Sequence, residues 1–170
     1  MAEKIHITLS QKSIEEAIKK LEAYKKQLQF NTAIFVAKLA EIGLQTIDSN
    51  TEVEGDTNFN GQAYVQLEHS SASAKATLVL HGEGVAFIEF GAGVHYNGSA
   101  GQSPNPFGAK LGYTIGSYGL GQGVNDSWVY YDENEFRYKT SQGTKAAMPM
   151  AKADEEIRRE FIRTAKEVFG

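Results

Sequence analysis

From Ile14 onward the apolar positions of this chain advance in alternating steps of four and three: Ile14, Ile18, Leu21, Leu28, Phe35, Leu39 and Ile42, interrupted only at Lys25 and Thr32. Such spacing keeps one face of a helix apolar. Ser13 followed by Glu16 has the form of a capping box, so the pattern predicts a single helix from Ile14 to about Ile47. Phe30, Ile34, Val36 and Leu44 widen the apolar arc in the later half, while the earlier half has a narrow seam among Lys and Glu. At 1.5 Å per residue this helix is on the order of 50 Å long, more than a domain of this size needs for its own core. The later half is expected to lie on a sheet and the earlier half to project; a two-helix hairpin is the alternative.

A polar, turn-rich stretch from Asp48 to Gly61 follows. Three strand-like runs come next, Gln62 to His69, Ala74 to His81 and Val85 to Phe90, in which Val65, Leu67, Leu78, Leu80 and Phe87 fit half-buried alternation. The connections Ser70-Ser71 and Gly82-Glu83-Gly84 suit hairpins, so an antiparallel meander is predicted under the long helix. Trp128 to Tyr131 and Phe136 to Tyr138 form a further hairpin pattern with an acidic tip at Asp132-Glu133-Asn134-Glu135. The tail from about Ala151 to Phe169 reads as a second helix bounded by Pro149, with Ile157, Phe161, Ala165 and Val168 as its stripe. Asp154, Glu155 and Glu156 are assigned to its positive end, and Arg163 and Lys166 to its negative end. The fold class is α+β: a long N-terminal helix packed on a small antiparallel sheet, a long glycine-rich insertion with an aromatic hairpin, and a C-terminal helix.

Composition changes the picture at one place. Of the 17 glycines in the 170 residues, ten fall between Gly91 and Gly123, where Lys110 is the sole charged residue and Tyr96, Phe107, Leu111, Tyr113, Ile115, Tyr118 and Leu120 are interspersed. Such a stretch is too flexible for a packed core and too poor in charge for a solvated linker. Residues 1–170 read as one domain, with 91–145 as an arm or insertion that orders against another subunit. A bare surface loop is the plainer reading. Gly91 and Gly93 bracket the point where the chain leaves the third predicted strand, and a positive φ is expected there.

Charge is distributed unevenly. Residues 1–49 carry seven Lys and six acids, residues 50–150 carry five Lys or Arg and ten acids, and residues 151–170 carry five of each, for a net charge of -4. Without a basic cluster beside exposed aromatics, duplex binding through counterion release is disfavoured. Zero cysteines exclude disulfides, thiolate metal sites and cysteine nucleophiles. No apolar run approaches the ~20 residues of a membrane span, and Glu3, Lys4 and His6 interrupt any leader-like core at the N-terminus, so the chain is expected to begin its life in a cytoplasm.

Candidate chemistry is thin. Gly116 to Gly123 has the glycine density of a phosphate-cradling loop, but it leads into a strand pattern at Val124 to Tyr131 and lacks the Lys-Ser/Thr that such a loop requires. His81 and His95 with Glu83 or Glu89 lack metal-ligand spacing, and no Gly-x-Ser-x-Gly elbow opens a helix. Asp132, Glu133 and Glu135 offer paired carboxylates, but on a hairpin tip they read as a solvated turn. No catalytic residue, cofactor or metal is assigned.

Phe87-Ile-Glu-Phe-Gly-Ala-Gly93, Leu111-Gly-Tyr113, Ile115-Gly-Ser-Tyr-Gly-Leu-Gly-Gln-Gly123, Trp128-Val-Tyr130 and Gly143-Thr-Lys-Ala-Ala-Met-Pro-Met150 before a closing helix together resemble one family. It is the neck or tail-completion (head–tail joining) family of long-tailed double-stranded-DNA bacteriophages and their prophages. The resemblance runs in order along most of the chain and rests chiefly on the Glu-Phe-Gly-x-Gly and Met-Pro-Met elements. It implies a structural virion protein of a siphophage or prophage, made in the host cytoplasm and assembled as a homo-oligomeric ring at the head–tail junction. Its neighbours would be head-closure or connector proteins and tail-terminator or tail-tube proteins, with DNA passing through unbound and no membrane contact. The assembly-interface candidates are Glu89, Phe90, Gly91, Gly93, Tyr113, Tyr118, Gly119, Gly121, Gly123, Trp128, Met148, Pro149 and Met150. Two rival classes are a small hydrolase using His95 or the Asp132 and Glu135 carboxylates, and a carbohydrate-binding module using Trp128, Tyr130 and Tyr131.

Overall fold

A computed structural model describes residues 7–51, 60–70, 73–93, 105–108, 110–111, 128–141 and 143–170. The first helix, α1 (Gln11–Asp48), is one unbroken element of 38 residues, not a two-helix hairpin. Its cap lies one turn earlier than the capping-box pattern predicts: Ser10, extended at φ -118 and ψ 144, accepts from the Ser13 backbone N–H. Ser13 Oγ instead accepts from the Thr8 N–H at 2.9 Å. A hydroxyl at Ser10 serves the same orphan donors, and the helix gains its first turn from it.

Strands β1 (Asn60–His69) and β2 (Ala74–Glu83) pair antiparallel, from Asn60 opposite Glu83 to His69 opposite Ala74. Ser70 N–H donates to the Ser73 carbonyl at 2.8 Å and closes the hairpin. The expected alternation holds at Ala63 and Val65, which are half-buried, but ends at Leu67, which is 60% exposed.

The third predicted strand is a helix. Residues Val85–Phe90 form α2, entered through Gly82 (φ 144) and Gly84 (φ 77) and closed by the Gly91 N–H on the Phe87 carbonyl at 2.8 Å. A run of five apolar residues and one glutamate satisfies a buried strand and a buried helix equally, and periodicity cannot separate them over so short a length. Here the two positive-φ glycines turn the chain out of the β1–β2 ladder before a third strand can pair. The meander is therefore a hairpin, and among the described residues the other strands form two small ladders: β3 (Ala92–Gly93) with β6 (Gly143–Thr144), and β4 (Trp128–Asp132) with β5 (Arg137–Ser141).

The closing helix α3 (Pro149–Phe169) begins two residues before the predicted Ala151, with Pro149 inside it at the first helical position. That position suits proline, whose missing N–H would be an orphan there. α3 runs antiparallel to the later half of α1. Near one end Asn31 Nδ2 donates to the Val168 carbonyl at 3.2 Å, and near the other Lys152 Nζ donates to Asn50 Oδ1 at 2.7 Å. Phe35 packs edge-to-face on Phe161 and Phe169, with ring centroids 5.1 and 5.7 Å apart. α1 also covers β1 and β2, so the later half of α1 lies between the hairpin and α3. Gly43 sits at the tightest point: a Cβ there would lie 2.6 Å from Leu78 Cδ1 and 2.7 Å from Ile157 Cδ1. Ala40, Ile47, Ile88 and Ala153 are buried in the core, whereas Ile14, Ile18, Leu21, Tyr24 and Leu28 of the earlier half of α1 are exposed. The architecture is α+β, with a long N-terminal helix, a small antiparallel sheet and a C-terminal helix.

Candidate functional site

The two sequence elements that carry the family resemblance meet at one side chain. α3 opens with Met148 at its N-cap in the left-handed conformation (φ 57, ψ 48), and its side chain makes no capping bond. With Pro149 next, the helix start has lost one donor and still leaves the Met150 and Ala151 N–H groups unsatisfied by its own cap. Glu89, on α2, supplies the missing acceptors: Oε2 accepts from Met150 N–H at 2.8 Å and Oε1 from Ala151 N–H at 3.0 Å. A carboxylate at the positive end of a helix is also favoured by the helix dipole. The acids assigned to that end from sequence lie further in, where Asp154 pairs with Arg158 at 2.9 Å and Glu156 with Arg159 at 2.5 Å.

Glu89 binds a third segment as well. Asn105 Nδ2 donates to Glu89 Oε1 at 2.6 Å and to the Glu89 carbonyl at 3.2 Å, while Asn105 Oδ1 accepts from Phe107 N–H at 2.9 Å. Both Glu89 and Asn105 are buried, at 6% and 3% exposure. Next to them the Ile88 carbonyl accepts from Ala147 N–H at 2.7 Å and from Met148 N–H at 3.1 Å. Gly91 follows at φ 78 and ψ 166, a region essentially closed to side-chain-bearing residues; the positive φ is the one expected at this exit, but it ends a helix where a strand was expected. Gly93 pairs with Gly143 in the short β3–β6 ladder. The entry of the glycine-rich insertion, its Asn105 turn and its exit at Met148 are thus tied to one knot. The knot forms one wall of a cavity of about 640 Å³, lined mainly by apolar groups that include Val85, Phe87, Phe90, Phe107, Leu111 and Met150.

Of the thirteen interface candidates, Glu89, Phe90, Gly91, Met148, Pro149 and Met150 converge at this knot, with Gly93 next to it. Tyr113, Tyr118, Gly119, Gly121 and Gly123 lie outside the described residues, as does the His95 of the hydrolase reading. Trp128 begins β4, and its side chain lies outside the described set. Asn105 was missed. An asparagine between two prolines, Pro104 and Pro106, is a turn signal, but its reach to a residue 16 positions away carries no local signature.

The β4–β5 hairpin bears the acidic tip. Asp132 Oδ1 accepts from the Asn134 and Glu135 N–H groups at 2.9 and 3.1 Å, and Lys139 Nζ bridges Asp132 and Glu135 at 2.6 Å to each. The Lys139 ammonium, hydrogen-bonded to both, holds the Asp132 and Glu135 carboxyls below the usual carboxylate range, and the two carboxylates raise Lys139. These carboxylates are a fastener for the turn and are tuned away from the raised value that a general acid needs. On the hairpin Tyr131 stacks edge-to-face on Tyr138 at 5.2 Å, and Val129, Phe136 and Tyr138 are exposed. Among the described residues no group of three His, Cys, Asp or Glu is placed to hold a metal ion, and no helix is long and apolar enough to cross a membrane. No family model, no curated protein and no solved structure matches the chain.

Proposed function

We propose that this chain is a structural protein of the head–tail junction of a siphophage or prophage, a neck or tail-completion subunit acting in a homo-oligomeric ring. One observation supports the reading: the Glu-Phe-Gly and Met-Pro-Met elements, 58 residues apart from Phe90 to Met148, are joined through the Glu89 carboxylate on the Met150 and Ala151 N–H groups. The role of that knot in this reading is to root a long glycine- and tyrosine-rich arm on a rigid base, so that the arm reaches a neighbouring subunit from a fixed origin. Heterologous contacts of that kind close into rings when the rotation permits. The aromatic face of the β4–β5 hairpin and the insertion residues Tyr113, Tyr118, Gly119, Gly121 and Gly123 supply the contacts, to the next subunit and to connector or tail-terminator neighbours. An acidic middle segment lets passing DNA slide without binding.

The test is genetic and visual. Disrupting the gene in a phage or lysogen that carries it should leave DNA-filled heads and separate tails in negative stain, and purified full-length chain should join them in a mixed extract. Normally joined particles from the disrupted strain overturn the reading.

A further inference from the structure

α3 ends against Asn31 and Phe35, and α1 continues past it for another twenty residues, Gln11 to Phe30. Over that length the seam positions Ile14, Ile18 and Leu21 are 44%, 50% and 54% exposed. The next seam positions, Lys25, Leu28 and Thr32, already line a groove with His69, Ser70 and Ser73 at the β1–β2 turn. The open part of the seam therefore runs from Lys25 toward the N-terminus. At 3.6 residues per turn its two flanks differ: Glu15 and Glu22 lie on the side toward which Ile18 and Lys25 lean, and Ala17, buried at 4%, lies on the other. The approachable flank is the glutamate one.

We propose that this seam is the docking face for α1 of a second copy of the chain, packed antiparallel. Ile18 of each copy then lies on Leu21 of the other, and Ile14 lies opposite Lys25, whose ammonium meets Glu15 of the second copy on the shared flank. Charge selects the direction. A parallel pair in register sets Lys25 against Lys25 inside the seam, a like-charge contact, whereas the antiparallel pair gives two reciprocal Lys25–Glu15 pairs about the two-fold axis. Covering both faces removes on the order of 1,000 Å² of surface, at the floor of what a specific interface needs. Such a contact supports a dimer of micromolar strength. It is isologous and closes at two copies, so it is a different contact from those of a ring and stands without the head–tail reading.

Sedimentation equilibrium of the full-length chain across micromolar to submillimolar loading tests this. The wild type should show a monomer–dimer equilibrium. Leu21→Asp should raise the dissociation constant at least ~tenfold with an unchanged thermal transition. Lys25→Glu, a surface change that spares the core, should do the same, and adding Glu15→Lys to it should restore the dimer. Ile14→Cys should resist self-crosslinking under oxidant, because the antiparallel pair separates the two Ile14 sites. A monomer at every concentration, wild-type association by both Leu21→Asp and Lys25→Glu, or rapid Ile14→Cys self-crosslinking overturns the proposal.

Discussion

At the scale of single residues, Glu89 and Gly43 carry the most structural consequence, for opposite reasons. Glu89→Ala removes the acceptors of Met150 N–H and Ala151 N–H and one acceptor of Asn105 Nδ2, which keeps its bond to the residue-89 carbonyl, in a region where Glu89 and Asn105 are buried. Unsatisfied buried donors cost about 1–3 kcal/mol each, and part of the loss is offset where water enters, so a destabilisation of about 3 kcal/mol is expected from urea denaturation. Glu89→Gln keeps the shape and one acceptor oxygen and should lose about half as much. Gly43 lacks a side chain because Leu78 and Ile157 occupy the space. Alanine there gains about 1 kcal/mol of helix propensity but forces two packed methyl groups aside at a cost of about 1–3 kcal/mol. Gly43→Ala should therefore lose about 1 kcal/mol net in the same measurement, and Gly43→Leu should lose several times more; an increase in stability by Leu would show that the α1, β2 and α3 contact is looser than described.

At the scale of elements, the turn of the β4–β5 hairpin is fastened by its own ion cluster, an addition that matters to a two-stranded ribbon because such ribbons are marginal in water. Asp132 and Glu135 have folded values below their ordinary ones, so their contribution is complete above the unfolded carboxylate range and is lost as pH falls through the lowered values. Lys139 is raised, so its contribution is complete below its ordinary value and disappears only as strongly alkaline pH passes the raised one. Amide exchange across β4 and β5, referenced to the exchange of α3, should thus be flat with pH from mildly acidic to mildly alkaline and weaken only in acid below the ordinary carboxylate values or in strong alkali. Phe136 holds φ 51 at the turn and is 80% exposed, so Phe136→Gly relieves strain without emptying any packed site in the subunit. It should increase hairpin protection by up to about 1 kcal/mol. Decreased protection would show that the Phe136 ring is held by the hairpin itself.

At the scale of the molecule, the described chain is a helix-on-hairpin core with an insertion rooted beside it. Gly91, at φ 78 and ψ 166, is the hinge of that root. Gly91→Val should cost roughly 1–3 kcal/mol in local strain. Because the contacts of α1 with α3 and with β2 lie elsewhere, circular dichroism should retain the helix content. Under the head–tail reading the same variant should be soluble and fail to join heads to tails in extract. Full joining activity would separate the insertion from assembly. Full loss of helix content would instead show that the core needs the knot.

The existence and type of α1, β1, β2 and α3 are legible because the helices carry 4/3 steps over many residues and the strands are set off by short Ser and Gly turns, but their ends are not: α1 starts three residues before Ile14 and α3 two before Ala151. The positive φ expected at the Gly91–Gly93 exit is found at Gly91, since a glycine after an apolar run announces a backbone demand locally. The Val85–Phe90 run reads as a strand because five apolar residues and one glutamate are too few to contain a decisive period, and what makes it a helix is the left-handed turn at Gly84 and the burial of Ile88 on the α3 side of the fold. The Glu89 knot was legible only in its parts. Glu-Phe-Gly and Met-Pro-Met each stand out along the chain, but the distance between them is closed by packing of α2 on α3. A helix start without its own cap then takes a carboxylate from wherever the tertiary structure brings one, because a partly buried orphan N–H is costly to leave unpaired.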